Sequence, residues 1–245
     1  MSKKKNDVLK DKNDGVFSEA FSHTELAFAS LPESLKTIAN KRNAMDGLKL
    51  LNQFPDNSIP AVFFDPQYRG VMDKLDYGNE GARQKGRASL SQMDDAQIVS
   101  FIKEINRTLK PSGHLLLWID KFHLVEGINP WLKGTELETV DLVTWDKGRI
   151  GMGYRTRRKS EYLVILQKTP KRAKGCWTKH DIPDVWLEKV AKGHPHAKPE
   201  QLQSALINSI VPLGDFVVDP ASGGFSVMRS AIAVGRNFIG SDLIG

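Results

Sequence analysis

The run from Ile59 to Phe64, interrupted only by Pro60, stops at Asp65-Pro66-Gln67-Tyr68. So short and uniform an apolar run predicts a strand buried on both faces, as in a parallel sheet covered by helices. Such a strand carries whatever follows it to the carboxyl edge of the sheet, where open α/β folds bind ligands. Here that is a carboxylate, a proline carbonyl and an aromatic ring.

This set suits an exocyclic amine. Its nitrogen is a poor nucleophile, because the lone pair is delocalised into the base ring. Asp65 can accept one amine hydrogen, and the Pro66 carbonyl, on a backbone of locked φ, can accept the other. Tyr68 offers a flat face on which a base swung out of its helix could stack. The same residues could equally do no more than end a strand. A second site decides between these readings. Phe216–Val218 predicts another buried strand, followed by the turn Asp219-Pro220-Ala221-Ser222-Gly223-Gly224-Phe225, a helix from about Ser226 to Val234, and a last strand ending near Asp242. A strand, a glycine turn and a helix let a cofactor approach bare backbone, and an acid after the next strand can hold ribose hydroxyls. Asp242 follows Gly223 by 19 residues, near the spacing of about 20 for such an acid. Gly-x-Gly-x-x-Gly is absent, which disfavours a nucleotide-binding oxidoreductase.

Asp65-Pro66-Gln67-Tyr68 resembles the Asp-Pro-Pro-Tyr motif of the beta-class DNA amino-methyltransferases, with Gln67 in place of the second proline. Three later segments look like that class's cofactor motifs, in the same order: Lys198-Pro199-Glu200-Gln201-Leu202, Asp219 to Gly224, and Gly235 to Asp242. The resemblance covers nearly the whole folded chain. It implies a mainly parallel α/β sheet of the Rossmann-like methyltransferase type, circularly permuted so that the catalytic motif precedes the cofactor motifs. It also implies S-adenosyl-L-methionine as cofactor and methyl transfer to a base amino group in DNA, with adenine N6 favoured and cytosine N4 the alternative. A noncatalytic nucleic-acid-binding relative is the rival from another class. Catalytic roles fall to Asp65, Pro66, Gln67 and Tyr68, and cofactor roles to Lys198, Asp219, Pro220, Ala221, Ser222, Gly223, Gly224, Phe225 and Asp242. By the same resemblance Asp46, in Asn43-Ala44-Met45-Asp46, would accept from the cofactor's adenine, although Met45 replaces a usual glycine and Asp46 could simply cap a helix. Phe225 stands where a second glycine is common; it would narrow the turn or pack on the cofactor's methionine part.

The 245 residues suit one main domain, and a net charge of +6 suits a polyanionic partner. The expected layout is a mobile basic arm over 1–30, beginning with Lys3-Lys4-Lys5, and a methyltransferase domain over 31–245. DNA contacts are expected from a long polar loop over 69–92 with Arg69, Arg83 and Arg87, from the glycine-rich cationic segment 148–158 with Arg155, Arg157 and Arg158, and from an insert over 168–198. Leu35 to Ala39 reads as a short strand, and Ser91 as the cap of a helix from about Met93 to Leu109. One cysteine, Cys176, precludes an internal disulfide, and no run is long and apolar enough to span a membrane, so a cytoplasmic bacterial or phage protein is expected. His194-Pro195-His196 is too sparse a ligand set for zinc. A homodimer and a cognate restriction endonuclease are further partners that the family suggests.

Overall fold

A computed structural model describes residues 25–67, 92–151, 155–190 and 197–244. The predicted strand is there: β1 (Ile59–Phe64) is buried at every position. It lies between β2 (Leu109–Ile119) and β6 (Phe216–Asp219), parallel to both, and β7 (Asn237–Gly240) pairs parallel on the far side of β6. On the other side of β2, β4 (Ser160–Lys168) runs antiparallel, followed by β3 (Leu137–Asp146) and β5 (Val185–Leu187). The order is β5-β3-β4-β2-β1-β6-β7, and β4 is the one reversed strand. The strand that leads to Asp65, first in sequence, therefore lies beside the two last ones, which is the permuted order that the resemblance implies.

Period-two alternation splits the core into two layers. Val62, Phe64, Leu115, Leu117, Val164 and Val218 face one layer, covered by α2 (Gly47–Leu51) and α3 (Asp95–Thr108). Ala61, Phe63, Leu116, Trp118, Leu163, Ile165, Val217 and Phe238 face the other, covered by α6 (Glu200–Ile210) and α7 (Ser226–Ala233). Each large apolar side chain so buried contributes about 1.5–3 kcal/mol of transfer free energy. In α3, Ile98, Phe101, Ile102 and Ile105 are buried at helical spacing. Two short helices, α4 (Lys121–Glu126) and α5 (Asn129–Leu132), link β2 to β3.

Three expectations are corrected. Leu35 to Ala39 is not a strand: α1 (Glu33–Thr37) starts after Pro32, and Leu35 is its one buried residue. Five residues are too few to separate the two periods, and the proline, favourable at a helix start, decides. The cap of α3 is Asp94, which forms a capping box with Gln97; Ser91 lies outside the described residues. Residues of the expected 1–30 arm also join the domain. The Ala27 and Phe28 amides donate to the buried Asp215 carboxylate, and the Phe28 ring meets Phe216 at 6.0 Å. The insert carries structural duties: it supplies β5, rests Trp177 and Trp186 against the second core layer, and sends Glu188 to the start of α6.

Candidate active site

The alternation that fills the second core layer also aims its charges. Ala61 and Phe63 are followed on the same line by Asp65, and Val217 by Asp219. On the antiparallel β4, Ile165 and Leu163 are followed toward the same sheet edge by Glu161. Three carboxylates thus leave the core together, at the carboxyl ends of β1 and β6 and the amino end of β4. Lys198, just before α6, reaches across them: its Nζ is 2.9 Å from Asp65 Oδ2 and 2.9 Å from Glu161 Oε2. It lies 4.8 Å above the Trp118 ring, a favourable place for a cation, and its side chain is 14% exposed. Glu161 Oε1 pairs with Lys147, which sits over Trp145. Burial alone would raise the Glu161 carboxyl, but Lys198 and Lys147 outweigh it and hold it at about 2. Burial would likewise lower Lys198, but Asp65 and Glu161 raise it above the ordinary lysine value.

Glu188 explains why Lys198 is fixed. Its carboxylate accepts from the Gln201 and Leu202 amides at 3.0 Å each, satisfying the exposed donors at the start of α6, where Pro199 has no side-chain oxygen to offer.

The turn after β6 is held by its own backbone and by Asp242. Asp219 Oδ1 accepts from the Ala221 amide at 3.0 Å, and the Ser222 hydroxyl donates to the Asp219 carbonyl at 2.7 Å. Gly223, at φ +47°, donates its amide to Asp242 Oδ2 at 3.2 Å. A Cβ on Gly240 would lie 2.5 Å from the Asp219 carbonyl oxygen and 2.6 Å from Ser222 Oγ, so β7 passes the turn only as glycine. Asp219 is 5% exposed. Burial first, then the nearby Asp65 and Asp242 carboxylates, push its carboxyl up to about 8 against the Ala221 hydrogen bond and Lys198. Burial and like charge thus favour the neutral form of this carboxyl in the absence of a nearby cation.

Asn43 and Met45 bracket Asp242 with backbone hydrogen bonds, setting Ala44 in a parallel bridge beside it. Asp46 follows at once, and its carboxylate accepts from the Lys49 amide as the cap of α2. Asp46 thus caps the helix and flanks Asp242. Pro220 is buried, and its carbonyl lies against α2, where a Cβ on Gly47 would come within 2.0 Å of it. Phe225 keeps the left-handed backbone that a glycine would adopt freely, at φ 54°. Its ring is 1% exposed and packs on Phe238 in the second core layer, so it offers the turn its backbone rather than its face. Gly224 accepts from Arg229, whose guanidinium also holds Glu200 and so ties the turn to α6.

Pro66 is buried and Gln67 exposed. Tyr68, Arg69, Arg83, Arg87 and the His194-His196 pair lie outside the described residues. In the β3–β4 connection Arg155 and Arg157 are exposed, Arg157 donates to the Gly151 carbonyl, and Arg158 stands 6.0 Å from the Phe122 ring just past β2. Lys121 lies on the same ring at 5.0 Å and bonds Thr156, which ties this cationic hairpin to the sheet edge that bears Asp65. Sequence reasoning gave no role to Glu161, Lys147, Trp118, Glu188 or Arg229. Period two along β4 would have placed Glu161; the others need the long-range packing. Among the described residues no group of three or more His, Cys, Asp or Glu side chains could hold a metal, and no helix is long and apolar enough to cross a membrane.

Comparison with known proteins agrees with this arrangement. The N6/N4 family described as DNA methylase matches residues 59–244. The type II methyltransferase M.HhaII of Haemophilus parahaemolyticus is 56% identical over 211 residues, spanning 85% of this chain and 92% of that protein. Among solved structures, the PvuII DNA methyltransferase, described as cytosine-N4-specific, superposes with a TM-score of 0.63 at 18% identity, covering 83% of this chain and 81% of its own. M1.HpyAVI, solved as a complex with SAM, gives a TM-score of 0.58 at 15% identity, covering 82% and 91%.

Proposed function

The chain belongs to the N6/N4 family of DNA methylases, and from that premise we propose that it moves a methyl group from S-adenosyl-L-methionine to the exocyclic amine of a flipped base in DNA, with adenine N6 as the target. The observation that carries this reading is the meeting of Asp65 and Asp219 on one face, at the carboxyl ends of the neighbouring parallel strands β1 and β6.

The residues around the β6 turn fit such a cofactor. It carries a sulfonium and an ammonium, and Asp219 is a carboxyl raised by burial first and then by its acidic neighbours, whose ionised form a cation would favour. Asp219, Asp242, Asp46 and the backbone from Pro220 through Gly224 to Phe225 would hold it. When bound, the cofactor supplies a methyl carbon made electrophilic by its sulfonium. The chain's own part is orientation. Asp65, held by Lys198, accepts one hydrogen of the target amine, the Pro66 carbonyl accepts the other, and together they draw the nitrogen lone pair out of conjugation. Tyr68 stacks on the base, and Gln67 replaces a proline without removing an acceptor from this set. By the family resemblance an acid rather than a serine at the first motif position favours adenine, while both targets occur in the family with either residue.

Arg155, Arg157 and Arg158, with Arg69, Arg83 and Arg87, contact DNA phosphates. The chain acts in restriction-modification beside a cognate endonuclease, and a second copy extends its reach along the target. The test is incubation with methyl-labelled cofactor and unmethylated bacterial DNA, then digestion to nucleosides. Label in N6-methyladenine is expected. Label in N4-methylcytosine would correct the base and keep the mechanism, and cofactor binding with no label would favour a noncatalytic binder.

A further inference from the structure

We propose that Glu161 is a positioning residue for methyl transfer: it shares Lys198 with Asp65, so that the target amine meets a fixed and only partly neutralised carboxylate. This rests on the reading of Asp65 as the amine's acceptor. The two Lys198 contacts are equal at 2.9 Å, so one ammonium is divided between two carboxylates. Neither end of the arrangement can drift. Lys198 is seated on Trp118 and precedes a helix whose first amides Glu188 holds, while the second oxygen of Glu161 is taken by Lys147 on Trp145. The indoles meet edge to face at 6.0 Å and flank β4, Trp118 opposite Leu163 and Trp145 opposite Glu161.

The division matters chemically. A lysine given wholly to Asp65 would satisfy its charge and weaken it as an acceptor for the amine. Without Lys198, Asp65 would lose the cation that offsets the neighbouring Asp219 carboxyl and would tend to take up a proton, turning an acceptor into a donor. Glu161 keeps Lys198 between these limits. It touches no reacting atom, and its influence reaches the amine only through Lys198.

The experiment is a double-mutant cycle read by single-turnover methyl transfer at saturating cofactor and DNA, with Glu161→Gln, Lys198→Met and the pair together. Glu161→Gln is expected to slow transfer about tenfold or more while the dissociation constants for cofactor and DNA stay within about twofold. Glu161→Asp, which keeps the charge, should recover most of the rate. In the Lys198→Met background, Glu161→Gln should add less than about twofold. A near wild-type rate for Glu161→Gln, a loss confined to cofactor affinity, or effects that multiply would each overturn the proposal. Folding is read from one cofactor bound per chain. Should Glu161→Gln not fold, Lys147→Gln takes its place. It leaves Glu161 to draw Lys198 from Asp65, should slow transfer several-fold, and overturns the proposal if the rate is unchanged. Asp65→Asn separates the layers. If it remains active, the reading beneath this one fails; if it is inactive while Glu161→Gln transfers normally, only the role of Glu161 does.

Discussion

On the β6–β7 side of the site, Asp219 and Asp242 stand with Asp65 around a turn whose amides they accept, and Asp219 is pushed up to about 8. On the β4–β3 side the signs alternate, Asp65, Lys198, Glu161, Lys147, and Glu161 is held at about 2. Both flanks grow from the same sheet edge and the same core layer, yet one carboxyl is displaced upward and the other downward. Burial raises both; neighbouring charge decides the outcome. The paired flank is complete in itself and serves as scaffold. On the acidic flank the crowded carboxyls keep Asp219 protonated, and a cationic ligand would favour its ionised form.

Breaking the acidic flank should show in cofactor binding. The largest effect is expected from Asp219→Asn, which removes a charged acceptor: titration calorimetry should find the cofactor bound about ten- to hundredfold more weakly, from about 1.5–3 kcal/mol for a hydrogen bond to a charged group. Unchanged affinity would remove the cationic reading of that flank. Asp242→Ala should cost about tenfold, because the Gly223 amide loses its partner and the proposed ribose acceptor is removed.

A pH effect comes next. Without ligand, Asp219 is protonated below about 8. A cation beside it favours the ionised form, so binding releases a proton. Affinity should therefore rise as pH increases from 6 toward 8 and level off above. Calorimetry in buffers of different ionisation enthalpy measures the release, and none at pH 7 would contradict the assignment. On the paired flank the smallest change is expected from Glu188→Ala, which uncovers the first amides of α6. Urea unfolding should report a loss of about 1 kcal/mol, with cofactor affinity unaltered.

The two flanks were unequally legible in sequence. The acidic flank is written locally: an apolar strand, a glycine turn and an acid at a fixed distance lie within one stretch from Phe216 to Asp242, and β1 ends visibly in Asp65. The paired flank depends on the register of β4 between two strands and on the approach of α6, which bring together residues from 65 to 198 that no local pattern links. The resemblance pointed to Lys198, but as a cofactor residue, and its partner Glu161 went unassigned. Phe225 shows the reverse case. The sequence marks the departure from glycine, but only the packing shows that the ring turns into the core while the backbone keeps the glycine conformation. A left-handed non-glycine residue costs about 1–2 kcal/mol, which the buried contact with Phe238 offsets.

The most direct test of the account is Asp65→Ala, assayed in one preparation for cofactor binding and for single-turnover transfer of labelled methyl to DNA. The account predicts cofactor bound with near wild-type affinity and transfer slowed by about a hundredfold or more. Transfer at a near wild-type rate would contradict it, because the target amine would then be oriented by something other than Asp65.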